Sequence, residues 1–138
     1  MPGRSFETTL AMKPLSIKNF IPGIAWFFVV MVLICLPGKD IPGNSMFELL
    51  QFDKFAHTSI FGLMVILFIR PIAMSNMDKQ LKLNYYTRIA VSVAIWGLAT
   101  EFIQLFFIPG RDFDLFDFAA DAAGCTLAWL FSKNYLLK

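Results

Sequence analysis

Four long apolar runs constrain this chain more than any other feature of its sequence. An α-helix rises about 1.5 Å per residue, so about 20 residues cross the hydrocarbon core of a bilayer. The second run reaches that length when the helix continues past Arg70, whose side chain can extend to the membrane interface. The sequence therefore predicts an all-α integral membrane bundle of four transmembrane helices, at residues 20–36, 55–74, 89–108 and 115–131.

Composition agrees with a membrane protein. Of the 138 residues, 57% are hydrophobic and 16% are charged, whereas about a quarter of a soluble domain is charged. The length allows one domain, residues 20–132, between tails at 1–19 and 133–138. A net charge of +2 without a basic cluster excludes a nucleic-acid partner. The first run lacks a small-residue cleavage site, so we expect it to be a retained helix.

The distribution of basic residues predicts the orientation of the bundle. Nine of the 12 Lys and Arg residues fall in the two tails and in the loop between the second and third runs. Basic loops stay in the cytoplasm, so we expect both termini to be cytoplasmic. Four aromatic residues are expected at the inner interface: Tyr85, Tyr86, Trp129 and Tyr135.

The loops carry weaker signals. Two Pro-Gly pairs within residues 37–53 indicate turns, and residues 45–52 form either a short amphipathic surface helix or an irregular segment. The loop at 75–87 is polar and is expected to be solvated. Cys35 and Cys125 lie inside apolar runs and are expected to be small buried side chains without a disulfide.

Polar residues interrupt three of the four apolar runs. The second begins with Asp53 and Lys54, followed by His57 on the same helical face. The third contains Glu101 and Gln104. The fourth follows Arg111 and carries a stripe at spacings of 3, 4 and 3, formed by Asp114, Asp117, Asp121 and Gly124.

These polar groups reach a common depth. Glu101 and Asp121 each lie seven residues, roughly 10 Å, from the outer ends of their helices. An isolated charge inside a bilayer costs at least about 2.5 kcal/mol. We therefore expect the second, third and fourth helices to turn these groups toward one another, in one polar pocket open to the outside. Small residues that permit close packing of these helices are Gly62, Gly97, Ala120 and Gly124.

The ordered motifs resemble the VanZ-like family of bacterial membrane proteins. The resemblance rests on Asp53-Lys54-x-x-His57, then Glu101-x-x-Gln104, then Arg111 followed by Asp117-x-x-x-Asp121-x-x-Gly124, and it covers about residues 20–132. Many members carry Asn at the position of Asp121. The resemblance implies a four-helix fold in a bacterial inner membrane and a cell-envelope role, with an effect on susceptibility to glycopeptide and lipoglycopeptide antibiotics.

The chemistry of the polar residues leaves several functions open. The leading interpretation is a pocket that recognises a polar head group of a lipid or a lipid-linked glycan, without a cofactor or a metal. The alternative is a membrane-embedded enzyme that uses His57 with Glu101, Asp117 or Asp121 as acid and base. The same four residues could also hold a divalent cation, or the network could be purely structural.

Arg111 has two interpretations of its own. Its guanidinium could clamp a phosphate or carboxylate of a ligand. It could instead pair with Asp112, Asp114 or Glu101 and fix the short loop between the third and fourth helices.

Overall fold

A computed structural model describes residues 15–36 and 46–138, the side chains of 46–51 excepted. Four α-helices dominate it, and no strand occurs in these two ranges. A 3₁₀ turn, Ile17–Phe20, leads into the first helix, and a π-helical turn, Ser132–Leu136, follows the fourth. The helices are α1 (Ile21–Ile34), α2 (Met46–Ala73), α3 (Lys79–Phe107) and α4 (Leu115–Phe131). The all-α prediction is confirmed.

The helices run up and down, which brings alternate ends together. At one end, Gln104 near the end of α3 contacts the carbonyl of Ile34 at the end of α1. At the other end, the Lys82 ammonium near the start of α3 donates to the carbonyl of Ala73 at the end of α2 (3.0 Å). The end where α2 and α4 begin therefore faces away from the end where α3 begins.

The helix boundaries agree with the sequence in one case and differ in another. The fourth helix occupies Leu115–Phe131, as predicted. The third begins at Lys79, so the expectation of a solvated loop over 75–87 is wrong from that residue onward. Asp78 caps this helix by accepting from the backbone N–H of Gln80 (2.9 Å), and a side-chain cap of this kind stabilises a helix start even in a polar segment.

Burial explains why the polar start of α3 is ordered. Tyr86 is fully buried and its hydroxyl donates to the carbonyl of Leu136 (3.3 Å), so its side chain packs inside this end of the bundle. Lys82 is also buried. Both side chains close the end of the bundle opposite the start of α2.

The remaining predicted boundaries are only partly comparable with the structure. α2 is continuous from Met46. Residues 46–52 are therefore neither a separate surface helix nor an irregular segment, and the predicted start of the second helix at residue 55 is wrong. Residues 1–14 of the predicted tail and residues 37–45 of the first loop lie outside the described ranges. Cys35 and Cys125 are both free thiols. Cys125 is buried, as predicted, but Cys35 is exposed at the end of α1, so its predicted burial is wrong.

Large apolar side chains are exposed and several polar side chains are buried, which is the distribution expected in an apolar environment. Many large apolar side chains point outward, among them Phe28, Val32, Ile95, Phe106, Phe116 and Leu127. Glu101, Gln104, Asp117 and Asp121 are buried instead. Exposure of so many large apolar side chains is typical of a surface that contacts a membrane or a partner.

Within residues 15–36 and 46–138, three helical segments are long and apolar enough to cross a membrane: Ile17–Ile34, Phe52–Ala73 and Lys79–Phe107. α4 has 17 residues, which include the two buried aspartates Asp117 and Asp121. It packs most extensively against α2, and also against α3.

Candidate functional site

Seven polar residues meet where α2 and α4 begin and α3 ends. We call this set the polar cluster: Asp53, Lys54, His57, Glu101, Asp114, Asp117 and Asp121. The sequence predicted that three helices would bring ionisable side chains to one level, and the contacts of these residues join all three helices.

Lys54 links α2 to the start of α4. Its ammonium donates to Asp114 Oδ2 (2.9 Å) and also to Asp117 Oδ1. A weaker ion pair reaches Asp53 Oδ2 at 3.8 Å. One cation thus holds two carboxylates of α4 against α2.

Asp114 has a second role as the cap of α4. Its Oδ1 accepts from the backbone N–H of Phe116 (2.8 Å), which satisfies a free donor of the first helical turn. Burial acts to raise the pKa of the Asp114 carboxyl, but the hydrogen bonds from Lys54 and from Phe116 outweigh it and hold that pKa below its usual value.

His57 lies between two levels of carboxylates. Its Nδ1 is 2.8 Å from Oδ1 of Asp121, which is fully buried. Its Nε2 faces Asp117 Oδ2 at 3.8 Å and Asp53 Oδ1 at 3.9 Å. The ring therefore bridges the buried level of the cluster, at Asp121, and the partly exposed level, at Asp53.

Glu101 supplies the contribution of α3. Its Oε2 accepts from the backbone N–H of Asp114 (3.2 Å), which ties the loop before α4 to α3. The Glu101 side chain is fully buried, and its other oxygen, Oε1, has no hydrogen-bond partner within the described structure. Asp121 Oδ2 is likewise buried without a hydrogen-bond partner there.

The backbones of α2 and α4 approach closely just below His57. A Cβ at Gly124 would lie 2.2 Å from the Thr58 carbonyl oxygen, and one at Gly62 would lie 3.2 Å from the Gly124 carbonyl oxygen. The Thr58 hydroxyl donates to the Ala120 carbonyl at this crossing (3.1 Å). All three small residues proposed for α2 and α4 therefore lie at their contact.

The third helix makes room for Asp121 with a glycine. A Cβ at Gly97 would lie 2.9 Å from Asp121 Oδ2. Only a residue without a side chain lets the Asp121 carboxylate reach this depth between α3 and α4. Gly97 therefore accommodates a cluster residue as well as the helix packing expected of it.

Two predicted site residues make no hydrogen bond or ion pair with the polar cluster within the described structure. The Gln104 amide is buried and directed at the Ile34 carbonyl (3.4 Å), so it joins α3 to α1. Arg111 makes no ion pair with the described residues, and its buried Nε has no partner there. The expected pairing of Arg111 with Asp112, Asp114 or Glu101 is therefore wrong within this part of the chain.

Sequence reasoning underrated two residues. The sequence places Asp114 on the α4 stripe but does not predict its role as both cap of α4 and partner of Lys54. It assigns no role to Thr58. Its position four residues before Gly62, on the face that meets α4, was the available signal.

Comparison with known proteins adds one relative. An uncharacterised protein of the fission yeast Schizosaccharomyces pombe is 31% identical over 113 residues, which cover 78% of this chain and 61% of the relative. The match thus spans less than two thirds of the relative's length. No protein-family model and no solved structure matches the chain. The relative is eukaryotic, and neither the resemblance to the VanZ-like family nor a bacterial origin gains support from it.

Proposed function

We propose that the chain is an integral membrane protein, similar to the VanZ-like family, whose polar cluster recognises a polar head group of a lipid or lipid-linked molecule. In this proposal α4 is a fourth membrane span. Its two aspartates avoid lipid by facing α2 and α3, where both are buried. The outward-facing apolar side chains described above support insertion of the bundle.

The two ends of the bundle differ in charge, which supports an orientation. Lys82 lies at the end opposite the polar cluster, as do the end of α2 with Arg70 and the residues after α4 with Lys133. Because basic residues are retained in the cytoplasm, the termini are cytoplasmic in this proposal, and the polar cluster faces outward.

Labelling of single cysteines tests this orientation. With Cys35→Ser and Cys125→Ala as background, Asp112→Cys should react with a membrane-impermeant maleimide in intact cells, and Lys133→Cys should react only after the membrane is opened. The reverse pattern would refute the orientation, and labelling of both positions in intact cells would refute a fourth span.

The observation that carries head-group recognition is a gradient of exposure through the cluster. The side chains of Asp114 and Asp53 are 37% and 32% exposed, whereas Glu101 and Asp121 are fully buried. The outer members can therefore meet a ligand while the inner members fix their geometry. Carboxylates at the rim favour a ligand with an ammonium group, and the guanidinium of Arg111, which has no ion-pair partner in the described structure, favours a phosphate beside it.

Phosphatidylethanolamine carries both groups and is the probe we would use. The melting temperature of the protein is measured in phosphatidylcholine nanodiscs with and without this lipid. We expect phosphatidylethanolamine to raise the melting temperature of the wild type and to lose that effect in Asp53→Asn and in Arg111→Gln.

Arg88→Gln is the matched control, because it removes the same charge from an exposed site near the start of α3, at the other end of the bundle. It should keep the lipid-dependent stabilisation. Equal stabilisation of wild type, Asp53→Asn and Arg111→Gln would contradict recognition by the polar cluster.

One observation favours a membrane-embedded enzyme as a second candidate. A buried aspartate paired with one nitrogen of His57 (2.8 Å) can fix the ring so that the other nitrogen accepts a proton. His57→Gln separates the two candidates, because a glutamine keeps hydrogen bonding but cannot exchange protons near neutral pH. Head-group binding should survive this change, whereas turnover of a lipid-linked substrate should not.

The resemblance to the VanZ-like family also proposes a role in glycopeptide and lipoglycopeptide susceptibility. Bacteria expressing the wild type should then become less susceptible to teicoplanin than bacteria expressing Glu101→Gln at equal abundance. Equal susceptibility would remove this part of the proposal and leave head-group recognition to its own test.

A further inference from the structure

Two carboxylate oxygens stand without partners at the buried level of the polar cluster. Glu101 Oε1, on α3, and Asp121 Oδ2, on α4, are each buried and have no hydrogen-bond partner within the described structure. Both side chains have no exposed surface. Buried polar groups in proteins are nearly always satisfied, so these two oxygens indicate that something binds them.

Three occupants can satisfy a buried carboxylate oxygen: a proton, a water molecule or a cation. Two neighbouring carboxyl groups can share one proton, but this removes only one of the negative charges in the cluster. A water molecule supplies donors but no charge. A cation supplies positive charge, which is scarce in this region.

The imbalance of charge in the cluster is large. Five carboxyl groups, those of Asp53, Glu101, Asp114, Asp117 and Asp121, surround one ammonium and one imidazole. The single ammonium of Lys54 is engaged with Asp114 and Asp117. No basic side chain of the described structure pairs with Glu101.

We propose that His57, Glu101 and Asp121 bind one divalent transition-metal cation between α2, α3 and α4. One nitrogen or oxygen atom of each residue lies within 4.8 Å of the corresponding atoms of the other two. One imidazole nitrogen with two carboxylate oxygens suits Zn²⁺ or Mn²⁺ better than Ca²⁺, which takes oxygen ligands alone. This inference revises the sequence-based expectation of no metal.

The surroundings of His57 fit a metal ligand. Metal-bound histidines usually direct the second ring nitrogen at a carboxylate that fixes the ring. When Nδ1, which lies next to Asp121, binds the cation, Nε2 faces the carboxylates of Asp117 and Asp53 at 3.8 and 3.9 Å. These outer carboxylates orient the ring, and the partly exposed Asp53 offers a cation a path inward.

The binding experiment uses the full chain in detergent without added lipid, so that its outcome is independent of head-group recognition. Chelator-treated protein is titrated with Zn²⁺ and, separately, with Mn²⁺, while bound metal per chain and the melting temperature are measured. We expect one ion per chain and a rise in melting temperature. Glu101→Gln and Asp121→Asn should each weaken binding at least tenfold.

Asp112→Asn is the matched control, because Asp112 is an exposed acid in the loop before α4. It should bind the ion as the wild type does. An equal loss in Asp112→Asn, or undiminished binding in Glu101→Gln and Asp121→Asn, would assign the ion to the surface and overturn the proposal. Absence of binding by the wild type would leave the two oxygens to buried water or a shared proton and overturn the proposal as well.

A measurement on the unmutated protein guards against variants that fail to fold. The sequence contains a single histidine, so a nitrogen coupling of the imidazole type in the pulsed electron paramagnetic resonance spectrum of bound Mn²⁺ must come from His57, provided the purification tag contains no histidine. This coupling is the expected result. Bound Mn²⁺ without nitrogen coupling would exclude His57 as a ligand and refute the proposed site.

Discussion

Replacing Gly124 with alanine tests the packing that brings the polar cluster together. The added Cβ would lie 2.2 Å from the Thr58 carbonyl oxygen, whereas ordinary contact begins near 3.4 Å. The backbones of α2 and α4 must therefore separate by about 1.2 Å at this point. Neither partner is a flexible side chain that can turn aside, because the opposing atom belongs to the helix backbone.

The energetic cost can be estimated from the contacts that this separation strains. Overpacking of an interior costs about 1–3 kcal/mol, and weakening the neighbouring hydrogen bond from Thr58 to the Ala120 carbonyl adds about 1 kcal/mol. Alanine favours the helix by up to about 1 kcal/mol relative to glycine, which acts in the opposite direction. The net destabilisation is therefore about 1–3 kcal/mol.

The assay is the melting temperature of purified protein in detergent. Each kcal/mol lowers the melting temperature of a chain of this size by roughly 4 °C, so Gly124→Ala should melt about 4–12 °C below the wild type. Gly62→Ala is the graded control on the same interface, because its Cβ would lie 3.2 Å from the Gly124 carbonyl oxygen and needs only a small adjustment. Ala123→Ser, at an exposed position of α4, controls for substitution in that helix.

The order of the three melting temperatures tests whether the backbones of α2 and α4 approach closely at Gly124. If Gly124→Ala melts no lower than Gly62→Ala, the two backbones do not approach as described, and the argument that close packing sets the geometry of the polar cluster fails.

Three further predictions concern the two ends of the bundle. Asp114→Asn should lower the melting temperature slightly at neutral pH. The loss in the free energy of unfolding should be less than about 1 kcal/mol, because the ion pair of Asp114 with Lys54 is partly exposed. The lowered pKa of Asp114 means that its contribution is present above the ordinary carboxyl pKa of about 3.9 and is lost as the pH falls through the lowered value. Wild type and Asp114→Asn should thus converge in stability at the acid end of a pH series of melts. Tyr86→Phe removes a 3.3 Å hydrogen bond to the Leu136 carbonyl and should cost about 1 kcal/mol in denaturant unfolding, and an unchanged midpoint would contradict that bond. Lys82→Met removes the donor that contacts the Ala73 and Lys138 carbonyls and should cost about 1 kcal/mol in the same assay, whereas a stabilised variant would show that the buried ammonium destabilises the fold.

The sequence predicted the membership of the cluster because isolated charges are costly among apolar residues. His57, Glu101 and Asp121 lie in apolar runs on three helices, and mutual contact is the least costly arrangement for them. The structure confirms that the three lie together. The spacing of the stripe on α4 also indicated correctly that Asp117 and Asp121 share a buried face.

The sequence failed where several residues on one helix face compete for different neighbours. Glu101 and Gln104 are three residues apart, and both are buried, but Gln104 is directed at α1. Which neighbour each meets depends on how α3 is rotated within the bundle, and periodicity along one helix does not contain that information. The early start of α3 was missed for a related reason, since Lys82 and Tyr86 are ordered by contacts with residues distant in sequence.

The sequence by itself determined that the chain forms apolar helices, where α4 begins and ends, and which ionisable residues must avoid the apolar surround. These properties follow from local composition and spacing. The tertiary structure alone decided the pairing: Lys54 with the carboxylates of α4, His57 with Asp121, and two buried oxygens with no partner in the described structure. Pairing depends on the rotation and separation of whole helices, and a glycine at one crossing sets that separation to within about an ångström.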